Sequence, residues 1–241
     1  MTVITMFRQL IIFFTLIVSL GIQSQSLIGP GGMLATPSAY FMEDKTFLVG
    51  SSFLHKEHLE YGSYQYHALA GYASLTFLPF MEVTFRFTGQ MREISEENNN
   101  FPDRMPSVRV RLFKETGNLP AIAVGMYDLS SVRRGNARHF ASTFIVTSKT
   151  WDASSLPVDL ETHLGYGFET LEAKNHELSG VFGSVGIASK NYTPLRLVVE
   201  YDSKNLNSGL KILLWRKLQL MALLRQMQHP EASISFRSTI H

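Results

Sequence analysis

The sequence predicts an all-β fold, an antiparallel up-and-down transmembrane β-barrel of about 12 strands. The clearest signal is Val158–Phe168, V-D-L-E-T-H-L-G-Y-G-F. Side chains on a strand alternate between two faces, so its hydrophobic residues share one face while Asp159, Glu161 and His163 share the other. A strand of about 10 residues with one apolar and one polar face is what a transmembrane barrel requires. Similar alternation recurs along the chain, and long polar loops alternate with tight turns.

Composition agrees with a barrel and excludes several other classes of protein. The chain has 241 residues, of which 45% are hydrophobic and 12% aromatic. Its mean hydropathy of +0.02 is too low for a helical membrane protein, whereas a barrel exposes only alternate residues to lipid. A formal net charge of +2 predicts no basic surface for nucleic acid. There is no Cys, which excludes disulfides, thiolate metal ligands and Cys-linked lipid.

The N-terminal region divides into two predicted parts before the barrel. Residues 1–24 carry Arg8 and then the apolar run Leu10–Leu20, which is too short to span a bilayer and is typical of a cleaved signal peptide. An uncleaved anchor is the alternative. Residues 25–45 are rich in Gly and Pro, which disfavours central strand pairing, and we expect a leading segment that is a candidate plug. The barrel is then predicted over residues 46–241.

Runs with period-two patterning give the strands. Outer-membrane barrels have long loops on one side and short turns on the other. Here the polar stretches Met91–Pro106 and Ser130–Arg138 alternate with the short Leu78–Phe80 and Glu115–Leu119. The predicted strands are Thr46–His55, Tyr64–Phe77, Met81–Gln90, Ser107–Lys114, Pro120–Leu129, His139–Lys149, Val158–Phe168, Leu178–Ala188, Leu195–Asp202, Gly209–Trp215, Lys217–Arg225 and Ala232–Ile240.

Charged residues on the polar faces are expected to line the lumen. Charges of both signs can pair across a narrow interior, so a crowded lumen is predicted. The pattern fits less cleanly in three strands, where Phe182, Leu213, Met221 and Leu223 would also point inward. The predicted lumen-facing charges are Glu82, Arg86, Arg109, Arg111, Asp159, Glu161, His163, Arg196, Glu200 and Lys211.

Aromatic residues recur near the predicted strand ends. Rings at both ends of a barrel would form the girdles that lie at lipid headgroup level, although ordinary core packing is the preferred explanation for any single ring. The rings concerned are Phe77, Phe80, Tyr127, Trp151, Phe168, Tyr192, Tyr201 and Trp215.

No catalytic, cofactor-binding or metal-binding residues are assigned. Asp159, Glu161 and His163 share a strand face, but the outer two Cα atoms of such a set lie about 13 Å apart, too far for one metal ion. A ladder of lumen charges is the preferred interpretation. A soluble sandwich or lectin is an alternative fold if the apolar strand faces pack on one another.

Several motifs in a fixed order suggest a family. They include G-G-M-L-A-T-P-S-A-Y-F-M-E-D-K-T-F at Gly31–Phe47, L-T-F-L-P-F-M-E-V-T-F-R at Leu75–Arg86, D-R-M-P-S-V-R-V-R-L at Asp103–Leu112, the L-E-T-H-L-G-Y-G-F strand, and L-V-V-E-Y-D with N-S-G-L-K across Leu197–Lys211. With these motifs the chain resembles the YjbH-like (YbjH) family of outer-membrane proteins linked to exopolysaccharide biosynthesis. Longer relatives contain much more chain, and some carry a lipoprotein Cys that this sequence lacks.

The resemblance implies a non-enzymatic barrel in the outer membrane of a Gram-negative bacterium. Its expected role is that of an accessory or conduit protein in exopolysaccharide biosynthesis or secretion. Expected partners are outer-membrane lipid, with polysaccharide and polysaccharide-export proteins as candidates, and not nucleic acid. The alternatives are a general porin or transporter for small solutes, a plugged structural barrel and, least favoured, a lipid-hydrolase barrel.

Overall fold

The computed structural model describes residues 25–58, 60–61, 64–91, 103–129, 141–152, 157–169, 176–190 and 195–240. The predicted signal peptide, residues 1–24, lies outside these described residues. Twelve antiparallel strands close into one barrel in which each strand pairs with its neighbours in sequence and the last pairs with the first. The predicted all-β antiparallel barrel of about 12 strands is therefore confirmed.

The strands follow the period-two runs of the sequence. The first strand is β1 (Thr46–Leu54), and the connection after it contains a small hairpin of β2 (Glu60–Tyr61) and β3 (Tyr64–Gln65). The other eleven barrel strands are β4 (Ala68–Thr76), β5 (Met81–Gln90), β6 (Asp103–Phe113), β7 (Ala121–Tyr127), β8 (Ser142–Asp152), β9 (Val158–Phe168), β10 (Gly180–Ser189), β11 (Leu195–Tyr201), β12 (Leu206–Leu214), β13 (Leu218–Arg225) and β14 (His229–Thr239).

Several strand boundaries differ from prediction by up to four residues, including the starts of β8 (Ser142, predicted His139), β12 (Leu206, predicted Gly209) and β14 (His229, predicted Ala232). The starts of β4 and β6 differ most. The predicted second strand began at Tyr64, but that residue belongs to β3, and the barrel strand begins at Ala68. The strand predicted to begin at Ser107 begins at Asp103. Proline interrupts a strand ladder, so the sequence predicts a loop at Pro106. In the structure Pro106 instead pairs with Phe85 inside the barrel wall.

The connections give the barrel two different ends. At the short-turn end, β12 and β13 are joined by residues 215–217 and β4 and β5 by residues 77–80. At the long-loop end the chain crosses between strands through residues 55–67, 91–102, 128–141 and 169–179. A single-residue or few-residue hairpin fixes register, and Trp215 and Arg216 both adopt positive φ in the tightest of these turns (φ 49° and 58°).

The outer face of the barrel is apolar. Leu164 is 61% exposed, and Leu160, Tyr166 and Phe168 on the same face of β9 are exposed as well. Water would solvate such a belt poorly, whereas lipid tails would cover it without cost. Exposed side chains of this belt include Val49, Leu69, Val83, Phe85, Phe87, Leu160, Tyr166, Phe168, Val181, Val185, Ile187, Leu197, Val199, Leu210, Leu224, Ile234 and Phe236. Among the described residues, no helix is long and apolar enough to cross a membrane.

The lumen is filled by the chain that precedes β1. Residues 25–42, called the inner segment below, are almost entirely buried, and its backbone and side chains contact wall residues from most of the strands. Residues 43–45 lead from it into β1 at the short-turn end, where Lys45 N–H donates to the Thr76 carbonyl. The sheet therefore closes around a segment of its own chain.

Candidate functional site

The inner segment folds back on itself inside the lumen. Gln25 bridges to Gly31, and Gly32 bridges to Pro37, while Leu27 N–H donates to the Leu34 carbonyl at 2.6 Å. Gly29 has φ 107°, a conformation that favours glycine, and the ring of Tyr72 lies against it. The Gly and Pro residues thus form a compact loop within the barrel, while many of its backbone donors and acceptors turn outward toward the wall.

Glu200 on β11 binds one tip of this loop. Its carboxylate accepts hydrogen bonds from the backbone N–H groups of Leu34, Ala35 and Thr36 at 3.0, 2.7 and 3.2 Å, and from the Thr36 hydroxyl at 2.9 Å. Consecutive N–H groups directed at one point form a natural anion site. A wall carboxylate occupies it here, and the Asn207 side-chain amide donates to the same carboxylate at 3.3 Å, so the charge of Glu200 is buried with five donors.

Lys211 and Gln219 bind backbone carbonyls of the same loop. The Lys211 ammonium donates to the carbonyls of Gln25 and Gly32, both at 2.8 Å. The Gln219 amide accepts from Gln25 N–H and donates to the Gln25 carbonyl, each at 3.2 Å. Because Glu200 takes donors and Lys211 takes acceptors, the wall satisfies both kinds of backbone group.

Glu82 and Arg109 connect neighbouring strands and the inner segment together. Arg109 Nε lies 3.1 Å from Glu82 Oε1, and both side chains are 1% exposed. The same Glu82 oxygen accepts Gly31 N–H at 2.9 Å, and Arg109 donates to the carbonyls of Ser38 and Tyr40. The guanidinium also lies 4.5 Å above the centre of the Phe41 ring. This ion pair is thus satisfied on both sides by the inner segment.

Glu161 and His163 of the D-x-E-x-H strand have different partners. Glu161 forms an ion pair with Arg196 on β11, with Oε1 and Nη2 at 2.7 Å. His163 Nδ1 lies 2.7 Å from the Ser148 hydroxyl, which in turn accepts Ala39 N–H at 2.7 Å. The two side chains also lie near each other, with Glu161 Oε2 3.9 Å from His163 Nε2. They support the wall and the inner segment, and no third ligating side chain among the described residues joins them.

The centre of the lumen is hydrophobic. Leu27, Ile28, Met33 and Leu34 of the inner segment are at most 1% exposed and pack in one cluster with inward side chains of the wall. Those wall residues include Phe144, Phe182, Val198, Met221 and Leu223. Four residues fitted the alternating pattern poorly. Of these, Phe182, Met221 and Leu223 are buried in this cluster because they face an apolar part of the inner segment. Leu213 is partly buried.

A second cluster of charges lies at the long-loop end. His58, in the short 3₁₀ turn Lys56–His58, has a fully buried side chain between two carboxylates. Its Nδ1 lies 2.9 Å from Glu231 on β14, and its Nε2 lies 3.4 Å from Glu177 in the connection between β9 and β10. Burial would raise the pKa of Glu177, but His58 and then Arg225 oppose this and lower it to about 2. Glu177 therefore has the cationic neighbours, His58 and Arg225, that stabilise a buried ionised carboxylate.

The ten predicted lumen charges occupy two kinds of place. Glu82, Arg86, Arg109, Glu161, His163, Arg196, Glu200 and Lys211 are buried inside the barrel. Arg86 Nη2 lies 3.2 Å from the Met105 sulfur inside the barrel. Arg111 and Asp159 are only partly buried at the short-turn end: Arg111 donates to the Pro79 carbonyl, and Asp159 lies 3.3 Å from Lys190.

One interpretation of the sequence, the place of Tyr127 in an interfacial girdle, is corrected by the geometry. Tyr127 is completely buried against Phe144 in the lumen, with ring centres 4.8 Å apart, so it is not part of an interfacial girdle. Its position on β7 is inward because the small inward residues Ala121 and Ala123 share that face. Tyr192 and His139 lie outside the described residues. Trp151 and Trp215 are 53% and 80% exposed near the short-turn end.

Sequence reasoning missed residues whose role depends on distant parts of the chain. His58, Glu177 and Glu231 come from three separate segments and carry no motif. Gln219 and Ser148 are inward polar residues whose hydrogen bonds to Gln25 and Ala39 of the inner segment have no local signal in the sequence. No group of three or more His, Asp or Glu side chains in the described part of the chain is arranged to hold a metal ion.

Fold and interior together define a class: a transmembrane β-barrel with an apolar outer belt and a lumen occupied by its own N-terminal chain. The chain belongs to the YjbH family, whose model, described as "Exopolysaccharide biosynthesis protein YbjH", matches residues 24–211. The match takes in the inner segment and the wall as far as Lys211. The family assignment made from the sequence motifs is confirmed.

The chain is also similar to one curated relative and to one solved structure. A protein of Escherichia coli (strain K12) named "Uncharacterized lipoprotein YjbH" is 25% identical over 218 residues, covering 76% of this chain. The chain spans 28% of the length of that relative. The solved structure of the KdgM porin is 8% identical and superposes with a TM-score of 0.49 over 81% of this chain and 99% of the other.

Proposed function

We propose that the protein is a non-enzymatic outer-membrane barrel that assists exopolysaccharide secretion and rests in a closed state, with the inner segment as its plug. The observation that carries this is the inner segment itself. The inner segment fills the lumen of a barrel whose outer face carries an apolar belt. Wall side chains bind its backbone: Glu200 accepts from its N–H groups, and Lys211 donates to its carbonyls.

Packing of the lumen argues against steady passage of small solutes. A porin keeps a water-filled channel lined by polar side chains. Here Leu27, Ile28 and Leu34 are completely buried against apolar wall residues in the middle of the barrel. Solute flow would need the inner segment to leave, with loss of the Glu200, Lys211 and Arg109 contacts. The runner-up, a general porin, therefore predicts a conductance that the closed structure does not supply.

The orientation follows from the connections. In outer-membrane barrels the long loops face outside and the short turns face the periplasm. We place Asp128, Leu129 and residues 176–179 on the cell-surface side, and Trp215 at the periplasmic interface where an indole suits headgroup level. The inner segment then begins and ends on the periplasmic side, where export proteins of the envelope would meet it.

Two measurements on the native protein test the proposal. Deletion of the gene is expected to reduce surface polysaccharide, and complementation with the full chain to restore it. The purified protein in planar bilayers is expected to give no steady current. Unchanged polysaccharide together with steady conductance would contradict the proposal and favour the porin. A soluble periplasmic fraction would contradict the membrane location.

A further inference from the structure

The turn between β12 and β13 carries a tryptophan and two cations at the short-turn end of the barrel. Lys217 N–H donates to the Leu214 carbonyl at 3.0 Å, and the two residues between them, Trp215 and Arg216, have φ 49° and 58°. Positive φ at both central residues is the conformation of a tight hairpin turn. Trp215, Arg216 and Lys217 are all exposed. The turn therefore presents an indole beside two positive charges.

Arg237 on β14 adds a third cation and holds the turn in place. Its Nε donates to the Arg216 carbonyl and its backbone N–H donates to the Lys217 carbonyl, both at 2.9 Å. Two carbonyls of the turn are thereby fixed to the neighbouring strand. Trp215, Arg216, Lys217 and Arg237 are called the hairpin site below.

The hairpin site carries more positive than negative charge. In the part of the chain that the structure describes, neither Arg216 nor Lys217 has a carboxylate within ion-pairing distance. Glu43, ahead of β1, is the carboxylate whose charge acts on Arg237. Residues 44–45, which follow Glu43, carry one charge of each sign. Three cations thus face one carboxylate and a neutral pair, and a net positive charge remains.

The other tryptophan at this end, Trp151, has different surroundings. Lys149 on the same strand lies 3.2 Å from Glu115, and Lys190 lies 3.3 Å from Asp159. The cations around Trp151 are thus neutralised by carboxylates of the barrel itself. The two cations of the β12–β13 turn can instead engage an anion from outside the protein.

The lipid-facing belt extends to the hairpin site. Leu218, the first residue of β13, pairs with Phe236 of β14, and Phe236 and Ile240 are exposed on the outside of the barrel end. An anion bound by the turn would therefore have hydrocarbon beside it. A phospholipid joins a phosphate to acyl chains, and an indole is favoured at the level where the two meet. The charge and the apolar belt together fit this class of ligand.

We propose that the hairpin site binds the phosphate group of an anionic phospholipid, phosphatidylglycerol or cardiolipin, in the leaflet at the short-turn end. Arg216 and Lys217 donate to the phosphate oxygens, Arg237 keeps the turn in position and adds its charge, and Trp215 lies at the level of the glycerol. A zwitterionic phospholipid carries its own ammonium group, which the three cations repel, so the site selects the anionic lipid. The site requires the barrel to lie in a bilayer and does not depend on polysaccharide secretion.

The presence of only two tryptophans in the chain allows a direct test. Trp151→Phe leaves Trp215 as the single indole of the full-length protein, which is placed in phosphatidylcholine bilayers with a rising fraction of brominated phosphatidylglycerol or brominated phosphatidylcholine. Bromine on an acyl chain quenches an indole that it contacts, so quenching measures which lipid lies beside Trp215. The association constant for phosphatidylglycerol relative to phosphatidylcholine is expected to rise on the order of fivefold for each cation engaged. It should fall toward one between about 0.1 M and 1 M NaCl, because the screening length shortens from about 10 Å to 3 Å.

Two double variants in the Trp151→Phe background identify the cause. Arg216→Gln with Lys217→Gln should reduce the relative association constant to near one. Lys149→Gln with Lys190→Gln is the matched control, because it removes the same charge from the same end at cations that already have carboxylate partners. This control should keep the preference for phosphatidylglycerol.

Several outcomes would overturn the proposal. One is equal quenching of Trp215 by the two brominated lipids, and another is a preference that survives Arg216→Gln with Lys217→Gln. An equal preference at Trp151, measured in a Trp215→Phe protein, would show general attraction to the surface and not a site. Stronger relief of quenching by unbrominated lipopolysaccharide than by unbrominated phosphatidylglycerol, at equal phosphate, would assign the phosphate to the lipid of the other leaflet. The salt series needs only the Trp151→Phe protein, so a preference unchanged at high salt would contradict the site even if the double variant does not fold.

Discussion

The ion pair between Glu82 and Arg109 is shared between the barrel wall and the inner segment. Its two members lie on adjacent strands, 3.1 Å apart and 1% exposed, and each also binds inner-segment backbone. A buried pair contributes little by its charges alone, because desolvation offsets most of the attraction. Removal of one member is another matter, since it leaves the other charge buried without its partner.

Arg109→Met should therefore destabilise the protein by about 3–5 kcal/mol, the usual cost of breaking a buried pair from one side. The double variant Glu82→Gln with Arg109→Met should recover part of this loss, because no unpaired charge remains. Free energies of unfolding from denaturant titration in detergent micelles measure both. Equal losses in the single and double variants would mean that the pair is not coupled as the geometry indicates.

Glu200→Gln tests the plug directly. A carboxylate can accept all four hydrogen bonds from residues 34–36, whereas an amide has one acceptor oxygen and an NH₂ that would face other donors. Loss of satisfied donors should cost about 1–3 kcal/mol and populate states with the inner segment displaced. Planar-bilayer recordings should show transient openings in this variant and a silent parent. Glu169→Gln, at an exposed carboxylate outside the lumen, should stay silent; openings there as often as in Glu200→Gln would contradict the assignment.

The barrel and most inward charges followed from the sequence because alternation is local. A period of two assigns each residue to a face without knowledge of its partners, and β9 (Val158–Phe168) was obtained with its observed bounds. Phe182, Met221 and Leu223 broke the pattern because their partners, such as Leu34, come from far away in the chain. Contacts between distant segments have no local signal.

The same reason explains what was missed at the mouth. His58 lies between two carboxylates that are more than a hundred residues away in sequence, so its linear neighbours give no indication of its surroundings. The D-x-E-x-H face has a strong local pattern, yet the structure divides its members among Lys190, Arg196 and Ser148. A regular spacing of ionisable residues on one strand is thus weaker evidence for a site than contacts among side chains from several strands.

Leu164→Arg tests the lipid-facing belt. The side chain is 61% exposed on the outer face of β9, and a cation there would face hydrocarbon. The expected cost is about 2–4 kcal/mol near the bilayer midplane. Assembly should fall, as measured by heat-modifiable migration of outer-membrane fractions, while Leu164→Ile should assemble like the parent. Normal assembly of Leu164→Arg would show that this face does not contact lipid tails.

Gly29→Ala tests the conformation of the inner segment. Gly29 has φ 107°, and a Cβ at this position would meet Tyr72 Cγ at 2.9 Å. Both the backbone and the space disfavour alanine, so a loss of about 1–3 kcal/mol is expected. Gly117→Ala is the control, because Gly117 has open space around its Cα in the β6–β7 connection. Unfolding titrations compare the two, and equal stability of both variants would contradict the packing of Gly29 against Tyr72.

Acid titration of the mouth provides the last prediction. The pKa of Glu177 is lowered from 4.5 to about 2, against the effect of its burial, chiefly by His58. A carboxylate with a depressed pKa stabilises the folded state above its unfolded value and loses that contribution as the pH falls through its folded value. The contribution of Glu177 should therefore be complete above about pH 4.5, decline below it, and amount to at most about 3 kcal/mol. Denaturant unfolding at pH 5.5, 4 and 2.5 should show the parent converging on Glu177→Gln as the pH falls. A constant difference in the free energy of unfolding between the two proteins across this range would show that the charge of Glu177 does not stabilise the folded state.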